Sequence, residues 1–197
     1  MTPDALQLMW LASPALPIGS FSYSEGLESA IEHGWVSDAE SATRWLVDQL
    51  HLSQSRGDMA LIAQAMPAWR GMDIERLQAL NRWVLATRES AEMRLQTEQM
   101  GRSLLDWLRN LERLAPSQQA YAQAMPSTYP VVMALALAQT GAAPAAALHS
   151  YAFGWAENMT QAALKAVPLG QNAGQRMLAQ LVHNIPAAVG PARATTH

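Results

Sequence analysis

The sequence predicts an all-α fold, a single compact domain of about eight to ten helices. Alanine, leucine, methionine, glutamine, glutamate and arginine dominate the chain, and all of them favour helices. In the longest predicted helical stretch, residues 73–114, the apolar residues recur mostly at spacings of three, four and seven, which place them on one helix face. No convincing run of alternating β-branched residues, which would indicate a strand, occurs in the sequence.

Prolines and glycines divide the N-terminal part of the chain. The first helix is predicted from Pro3 to Leu11, because a proline loses no hydrogen bond at a helix start. Two prolines and a glycine in residues 12–20 then predict a loop. A second helix is predicted to begin near residues 22–24, with Ser22 and Glu25 as a capping box, and to end at Gly34.

Polar caps and glycines mark the helices in the middle of the chain. Ser37 is the expected N-cap of a third helix, which Gly57 separates from a helix that runs to Met66. Asp73 is the expected cap of a long helical stretch that reaches about residue 114, and the polar composition after residue 86 predicts a break near Ser90.

The C-terminal part is also predicted to be helical. The expected ranges are 118–140 with an interruption at 126–130, 143–167 in one or two pieces, and 171–183. Residues 1–185 form the predicted helical domain. Residues 186–197 consist mostly of alanine, glycine, proline and threonine and are predicted to be disordered.

Composition excludes several function classes. The net charge is −3 and Lys165 is the single lysine, so a nucleic-acid-binding surface is not predicted. Without cysteine the chain has neither disulfides nor a thiolate metal site. The N-terminus lacks the pattern of a signal peptide, and prolines divide the longest nearly uncharged stretch, so neither export nor a membrane span is predicted. A cytoplasmic protein is expected.

Low charge predicts contact with other proteins. Only 15% of the residues are charged whereas 50% are hydrophobic, so a compact domain would leave apolar surface for a partner. The alternative is that small alanine residues account for the high hydrophobic fraction.

No motif for catalysis or cofactor binding is found. The five histidines are scattered and none pairs with another at a spacing of four, so no metal site is predicted. Ser20 and Ser22 lack the second glycine of a nucleophile elbow and the preceding strand. The glycines at 170 and 174 lack the Gly-Lys-Ser/Thr ending of a phosphate-binding loop. Capping and close packing are the preferred interpretations.

A charged stretch runs from residue 88 to residue 102. Glu89, Glu92 and Glu98 occur beside Arg88, Arg94 and Arg102, and Glu92 and Glu98 lie four positions from an arginine, which places opposite charges together on helix faces. The stretch is therefore a salt-bridged solvent face or, as the alternative, a polar face that binds a partner.

Two segments carry a resemblance to a known family. Residues 13–28, SPALPIGSFSYSEGLE, and residues 165–175, KAVPLGQNAGQ, closely resemble motifs of the urease accessory protein family UreF. A looser third match extends from Thr87 to Arg102. Order and spacing are similar to the family over residues 5–184.

The resemblance implies an all-helical protein that is not itself a urease, from a family without established catalytic residues, and no cofactor or metal is expected. It further implies a homodimer and a complex with UreD (also called UreH) and the GTPase UreG, which inserts nickel into the urease apoprotein. The implied role is to bridge UreD to UreG and to regulate the GTPase step. The alternatives are a helical ligand-binding domain with a closed apolar cavity and, further removed, a hydrolase that uses Ser20 or Ser22.

Ten residues are candidate partner contacts, most of them within the matching segments. Aromatic and basic side chains are frequent anchors at interfaces, although Trp10 and Trp155 are better explained by core packing. The proline loop either joins two helices or presents a rigid edge, and Lys165 either contacts a partner or caps its helix. The candidates are Pro14, Pro17, Phe21, Tyr23, Glu28, Glu89, Arg94, Lys165, Gln171 and Gln175.

The C-terminus departs from the family pattern. UreF chains usually continue further and close with a tail resembling HETQYSRLFRS, whereas this sequence closes with PARATTH. In the family the C-terminal region contributes to complex formation. The sequence therefore predicts a truncated or divergent C-terminus that lacks this contribution to UreD binding.

Overall fold

The computed structural model describes residues 2–19 and 24–195. Over these residues the chain forms α-helices and one π-helix and no strand, which confirms the predicted all-α class. In chain order the elements are α1 (Pro3–Leu11), α2 (Leu27–Glu32), α3 (Ala39–Asp48), the π-helix (Gln49–Gln54), α4 (Asp58–Gly71), α5 (Ile74–Thr87), α6 (Ala91–Asn110), α7 (Pro116–Ala124), α8 (Tyr129–Ala138), α9 (Pro144–Ala166) and α10 (Gln171–Ala194).

Helix α8 lies at the centre of the molecule. Eight of its ten residues are buried, because its sequence is apolar on every face and no side of it can face water. It packs against α4 and α6. Helices α9 and α10 pack against each other, and α10 also contacts α3 and α4. The core is thus a pair of apolar helices, α4 and α8, surrounded by amphipathic ones.

Buried polar side chains fix the connection between α7 and α8. Thr128 donates a hydrogen bond to the side-chain oxygen of Asn81 on α5. The backbone N–H of Tyr129 donates to Thr97 Oγ1 on α6 at 3.2 Å. On the next turn of α6 is Gly101, where an added Cβ would lie 1.9 Å from the carbonyl oxygen of Ser127. Glycine therefore permits the backbone of α6 to approach this connection.

Several predicted helix ends are confirmed. Helix α1 has the predicted bounds, and Asp73 and Ser90 are the N-caps of α5 and α6, each accepting a backbone N–H. Gly57 precedes α4 as expected. Residues 144–166 form one helix, which decides between the one-piece and two-piece alternatives.

Other predicted ends are wrong. Helix α2 begins at Leu27 after Gly26, so Glu25 lies outside it and cannot complete a capping box. Asp38 replaces Ser37 as the cap of α3 because its carboxylate accepts the N–H of Ser41 at 2.8 Å. Helix α4 passes its predicted end at Met66 and continues through Pro67 to Gly71, and α6 ends at Asn110.

The largest difference concerns the C-terminus. The last helix was predicted to end at His183 and residues from 186 onward to be disordered, but α10 is helical to Ala194. The burial of Ile185, Val189 and Ala192 stabilises this part of the helix. Ser55 donates a hydrogen bond of 2.6 Å to the carbonyl oxygen of Ala188. Packing thus outweighs the local cost of the prolines at 186 and 191.

None of the described helices is both long enough and apolar enough to cross a bilayer.

Candidate functional site

A cleft of about 530 Å³ opens between the π-helix and the first half of α6. The N-terminus of α4, the C-terminus of α5 and the first residue of α8 also line it. Its wall combines charged and apolar side chains, including Leu52, Asp58, Trp83, Arg88, Met93 and Tyr129. This volume falls in the range of ligand and side-chain binding sites, and the mixed lining differs from the closed apolar cavity of the ligand-binding alternative.

A largely buried ion pair forms one side of the cleft. Arg88 Nη2 lies 2.6 Å from Asp58 Oδ1, and their side chains are only 23% and 12% exposed. Asp58 stands in the first turn of α4 and Arg88 directly follows α5, so each charge also interacts favourably with the adjacent helix dipole. Arg88 was expected on a solvated helix face. That interpretation is wrong, because the Arg88 side chain is largely buried against Asp58, a residue 30 positions away in sequence.

A hydrogen-bond network connects the cleft to the core. Trp155 Nε1 donates to Glu25 Oε2 at 2.8 Å, and Gln54 Nε2 donates to the same oxygen at 3.1 Å. The hydroxyl of Tyr151 donates to Gln54 Oε1, also at 3.1 Å. Trp155 and Tyr151 are each only 7% exposed, so the network binds the Glu25 carboxylate to α9 and to the last residue of the π-helix.

The backbone is unusual in two segments of this network, at residues 25–26 and in the π-helix. Glu25 has a φ of +48° and the following Gly26 has a φ of +90°. The left-handed conformation costs a non-glycine residue about 1–2 kcal/mol. The six-residue π-helix supplies Gln54. Strained backbone and π-helical turns are both enriched at functional sites, so their meeting at one carboxylate marks this place as a candidate site.

Burial and neighbouring charges disfavour the ionised form of Glu25. Burial raises the pKa of its carboxyl above the ordinary 4.5, while the hydrogen bond from Trp155 opposes the shift. Asp58 raises this pKa further, and by more than Arg88 lowers it. Burial, followed by Asp58, also raises the pKa of Tyr129 and of Tyr151. The interior side of the cleft therefore has a negative potential.

The arrangement can bind a partner group but does not form a metal centre. Within residues 2–19 and 24–195, no three histidine, aspartate or glutamate side chains are grouped so that they could hold a metal ion. His51 instead interacts with Asn184 at 3.3 Å. Carboxylates next to apolar and aromatic side chains favour an organic cation over a metal.

The predicted contact residues do not form one site. Phe21 and Tyr23 lie outside the described residues, as do Ser20 and Ser22. Of the candidates within the described part of the chain, Glu89 alone lines the cleft. All eight of these described candidates are exposed, namely Pro14, Pro17, Glu28, Glu89, Arg94, Lys165, Gln171 and Gln175.

The exposed candidates occupy separate places. Pro14 and Pro17 project from a loop that buries Leu16 and Ile18. Lys165 lies in the last turn of α9, and Gln171 and Gln175 begin α10 on the other side of the same corner. Glu28 is on α2 and Arg94 is on α6.

Sequence reasoning missed most of the cleft. Gln54, Asp58 and Tyr129 line the cleft, yet they are far apart in the sequence and share no local motif. Glu25 stood in the first matching segment but was interpreted as a helix cap. The available signal was the glycine that follows it, because glycine weakens a helix interior and permits a positive φ, which Gly26 has at +90°.

Large apolar side chains are exposed elsewhere on the surface. Trp10 is 45% exposed and packs edge-on against Trp107, with ring centroids 5.0 Å apart. The expectation that Trp155 packs in the core is correct, whereas Trp10 only partly does so. The other exposed members are Leu6, Met9, Trp35, Leu52, Leu95, Leu111, Phe153 and Val182.

Comparison with known proteins gives the family. The UreF family model matches residues 36–182. A urease accessory protein UreF from Polaromonas sp. (strain JS666) is 61% identical over 184 residues, which cover 93% of this chain and 79% of the relative. The UreF of Paracidovorax citrulli is 60% identical over 190 residues, covering 95% of this chain and 76% of that protein.

A further relative has a composite name. The bifunctional urease accessory protein UreEF of Bordetella bronchiseptica is 46% identical over 200 residues, covering 98% of this chain and 46% of the relative. The names of these relatives describe accessory proteins of an enzyme and not the enzyme itself. They confirm the resemblance found in the two sequence motifs. The chain belongs to the UreF family of urease accessory proteins.

Proposed function

We propose that this protein acts in urease maturation as a helical adaptor that assists nickel insertion. In this role it bridges UreD (UreH) and the GTPase UreG on the urease apoprotein and regulates the GTPase step. It works as a homodimer in the cytoplasm. The observation that carries the proposal is the family match over residues 36–182.

The surface is compatible with an adaptor. All eight described candidate contacts are exposed, and they lie on the N-terminal loop, on α2, on α6 and at the α9–α10 corner. Their separation gives a small protein several faces for different partners. Exposed Trp10 and Trp35 are of the residue type most frequent among interface hot spots. The composite UreEF name of one relative supports action beside another accessory protein.

Co-purification tests the adaptor role. Tagged chain is mixed with UreD and UreG, and retention of both is compared for the unaltered protein, Lys165→Ala and Arg44→Ala. Arg44 is an exposed, matched control that forms an ion pair with Glu40 in its own helix, α3. We expect the unaltered chain and Arg44→Ala to retain both partners and Lys165→Ala to retain less of one.

Two further measurements complete the test. Cells that lack the gene for this protein should accumulate urease without nickel, and normal nickel content in that urease would contradict the proposal. Light scattering of the isolated chain should give a mass about twice 21.4 kDa if the homodimer forms.

A further inference from the structure

Among the described residues, the inner side of the cleft contains two carboxylates and one guanidinium, so one negative charge has no counter-charge. Asp58 is paired with Arg88, whereas within residues 2–19 and 24–195 the hydrogen bonds to Glu25 come from the neutral donors Trp155 and Gln54. Two carboxylates therefore share one guanidinium. The rim residues Arg56 and Glu89 are exposed and of opposite charge, so they add little net charge. Burying a charge without a counter-charge is costly.

The pKa shifts agree with this count of charges. Besides burial, Asp58 is the larger of the two charged influences on Glu25, since it raises that pKa by more than Arg88 lowers it. Asp58 and Glu25 both raise the pKa of Tyr129. The ion pair thus presents its negative end to the interior of the cleft, where a proton on Glu25 or a cation from outside would restore neutrality.

We propose that the cleft receives an arginine side chain of a protein partner, with Glu25 and Asp58 as acceptors of its guanidinium group. That the occupant belongs to a protein rests on the proposed adaptor function. That the occupying group is a guanidinium rests on the cleft alone. A cavity of about 530 Å³ has room for one long side chain and its neighbours.

Several features favour arginine over other cations. A guanidinium donates to two acceptors at once in a fixed plane, and it packs well against aromatic rings such as those of Trp83 and Tyr129 in the wall. Leu52 on the rim is 58% exposed and offers apolar contact to the flanking part of a partner. A divalent metal is disfavoured because no three ligand side chains are grouped in the described residues.

Titration of the purified full chain with small probes tests the inference. The probe is Nα-acetyl-arginine amide, and its uncharged isostere Nα-acetyl-citrulline amide is the matched control. The readout is the NMR signal of the Trp155 indole N–H, which donates to Glu25, together with that of Trp83. We expect saturable millimolar binding of the arginine probe and about tenfold weaker binding of the citrulline probe.

Variants and pH locate the binding. Glu25→Gln should weaken the arginine probe about tenfold, whereas Glu32→Gln, an exposed change on the neighbouring helix α2, should not. In the unaltered chain, affinity should increase as the pH rises through the raised pKa of Glu25, because the ionised carboxylate binds the cation. This pH series requires no variant and remains decisive if Glu25→Gln does not fold.

Competing occupants give different outcomes. Equal binding of the citrulline probe, stronger binding of Nα-acetyl-leucine amide, a Glu25-dependent response to nickel chloride alone, or no response to the arginine probe would each overturn the inference. None of these results depends on UreD or UreG. Failure of the probe titration and failure of co-purification are therefore separate outcomes.

Discussion

Glu25 occupies its position against two local preferences. Its left-handed backbone, with a φ of +48°, is unfavourable for a residue with a Cβ, and burial together with the nearby Asp58 raises the pKa of its carboxyl. Two hydrogen bonds from Trp155 and Gln54 hold it there. Such a combination is typical of residues retained for function at the expense of stability.

Glu25→Gln should stabilise the isolated protein at neutral pH. Glutamine can accept the same two bonds without a buried charge, so we expect a gain of about 1 kcal/mol, or a Tm increase of about 2–4 °C. Because the folded-state pKa of Glu25 is raised, the folded chain binds more protons than the unfolded chain above pH 4.5, and stability decreases as the pH rises.

Urea unfolding across pH measures this effect. The stability advantage of Glu25→Gln should be absent below pH 4.5, should grow as the pH rises, and should become constant above the raised pKa. Glu32→Gln serves as the control and should show no such growth. An advantage that is independent of pH would show that Glu25 is not ionised within this window.

Gly101 is required by a close approach and not by a turn. A Cβ at this residue would lie 1.9 Å from the carbonyl oxygen of Ser127, and Thr97 and Asn81 fix that segment on both sides. Gly101→Ala should therefore destabilise the protein by about 2–3 kcal/mol, measured by urea unfolding. Gly71→Ala, where the added Cβ meets nothing within 4 Å, should be neutral or slightly stabilising. Equal effects would contradict the close approach.

At the scale of elements, the sequence predicts helices well where local chemistry decides. Asp73 caps α5 as expected, and the expected break falls at Ser90, which caps α6; both side chains accept backbone N–H groups in the first turn. The prediction is wrong where tertiary contacts decide. Pro67 and Pro186 lie within helices, and the π-helix at residues 49–54 has no recognisable local signal.

Helix α10 illustrates why the prediction at the C-terminus is wrong. A proline inside a helix costs about 3 kcal/mol locally, which predicted an end before residue 186. Pro186 and Pro191 are exposed, however, so water can satisfy the carbonyl groups that lack a donor. Burial of Ile185, Ala188 and Val189 offsets the cost. Helix α10 packs against α3 and α4 as well as against α9, and these contacts are invisible in the local sequence.

Two valines of α10 distinguish a packed helix from a disordered tail. Val189 is 3% exposed and lies beyond the predicted helix end, whereas Val182 is 42% exposed and lies before it. Val189→Ala should cost about 2 kcal/mol and Val182→Ala less than about 0.5 kcal/mol, measured by urea unfolding. A negligible effect of Val189→Ala would support the original prediction of disorder.

At the scale of the whole molecule, the fold collects distant residues into a site that no motif contains. The cleft is lined by Glu25, which precedes α2, and by the π-helix, the start of α4, the end of α5, the first half of α6 and the first residue of α8. Sequence motifs identified the family and the exposed residues at the α9–α10 corner. They could not identify Asp58 or Tyr129, because those residues become neighbours only through the packing of α4 against α8.

Stability and function should respond in opposite directions to one change in this cleft. Glu25→Gln removes the charge that the isolated protein holds unfavourably, and if the cleft binds a cationic partner it removes an acceptor of that cation as well. Cells that lack the natural gene and carry Glu25→Gln should therefore show about tenfold less active urease at equal protein level, although the purified variant is more stable. Glu32→Gln should restore full urease activity. Full urease activity with Glu25→Gln would show that the cleft has no role in urease maturation. Reduced activity in a more stable protein would exclude misfolding as the cause.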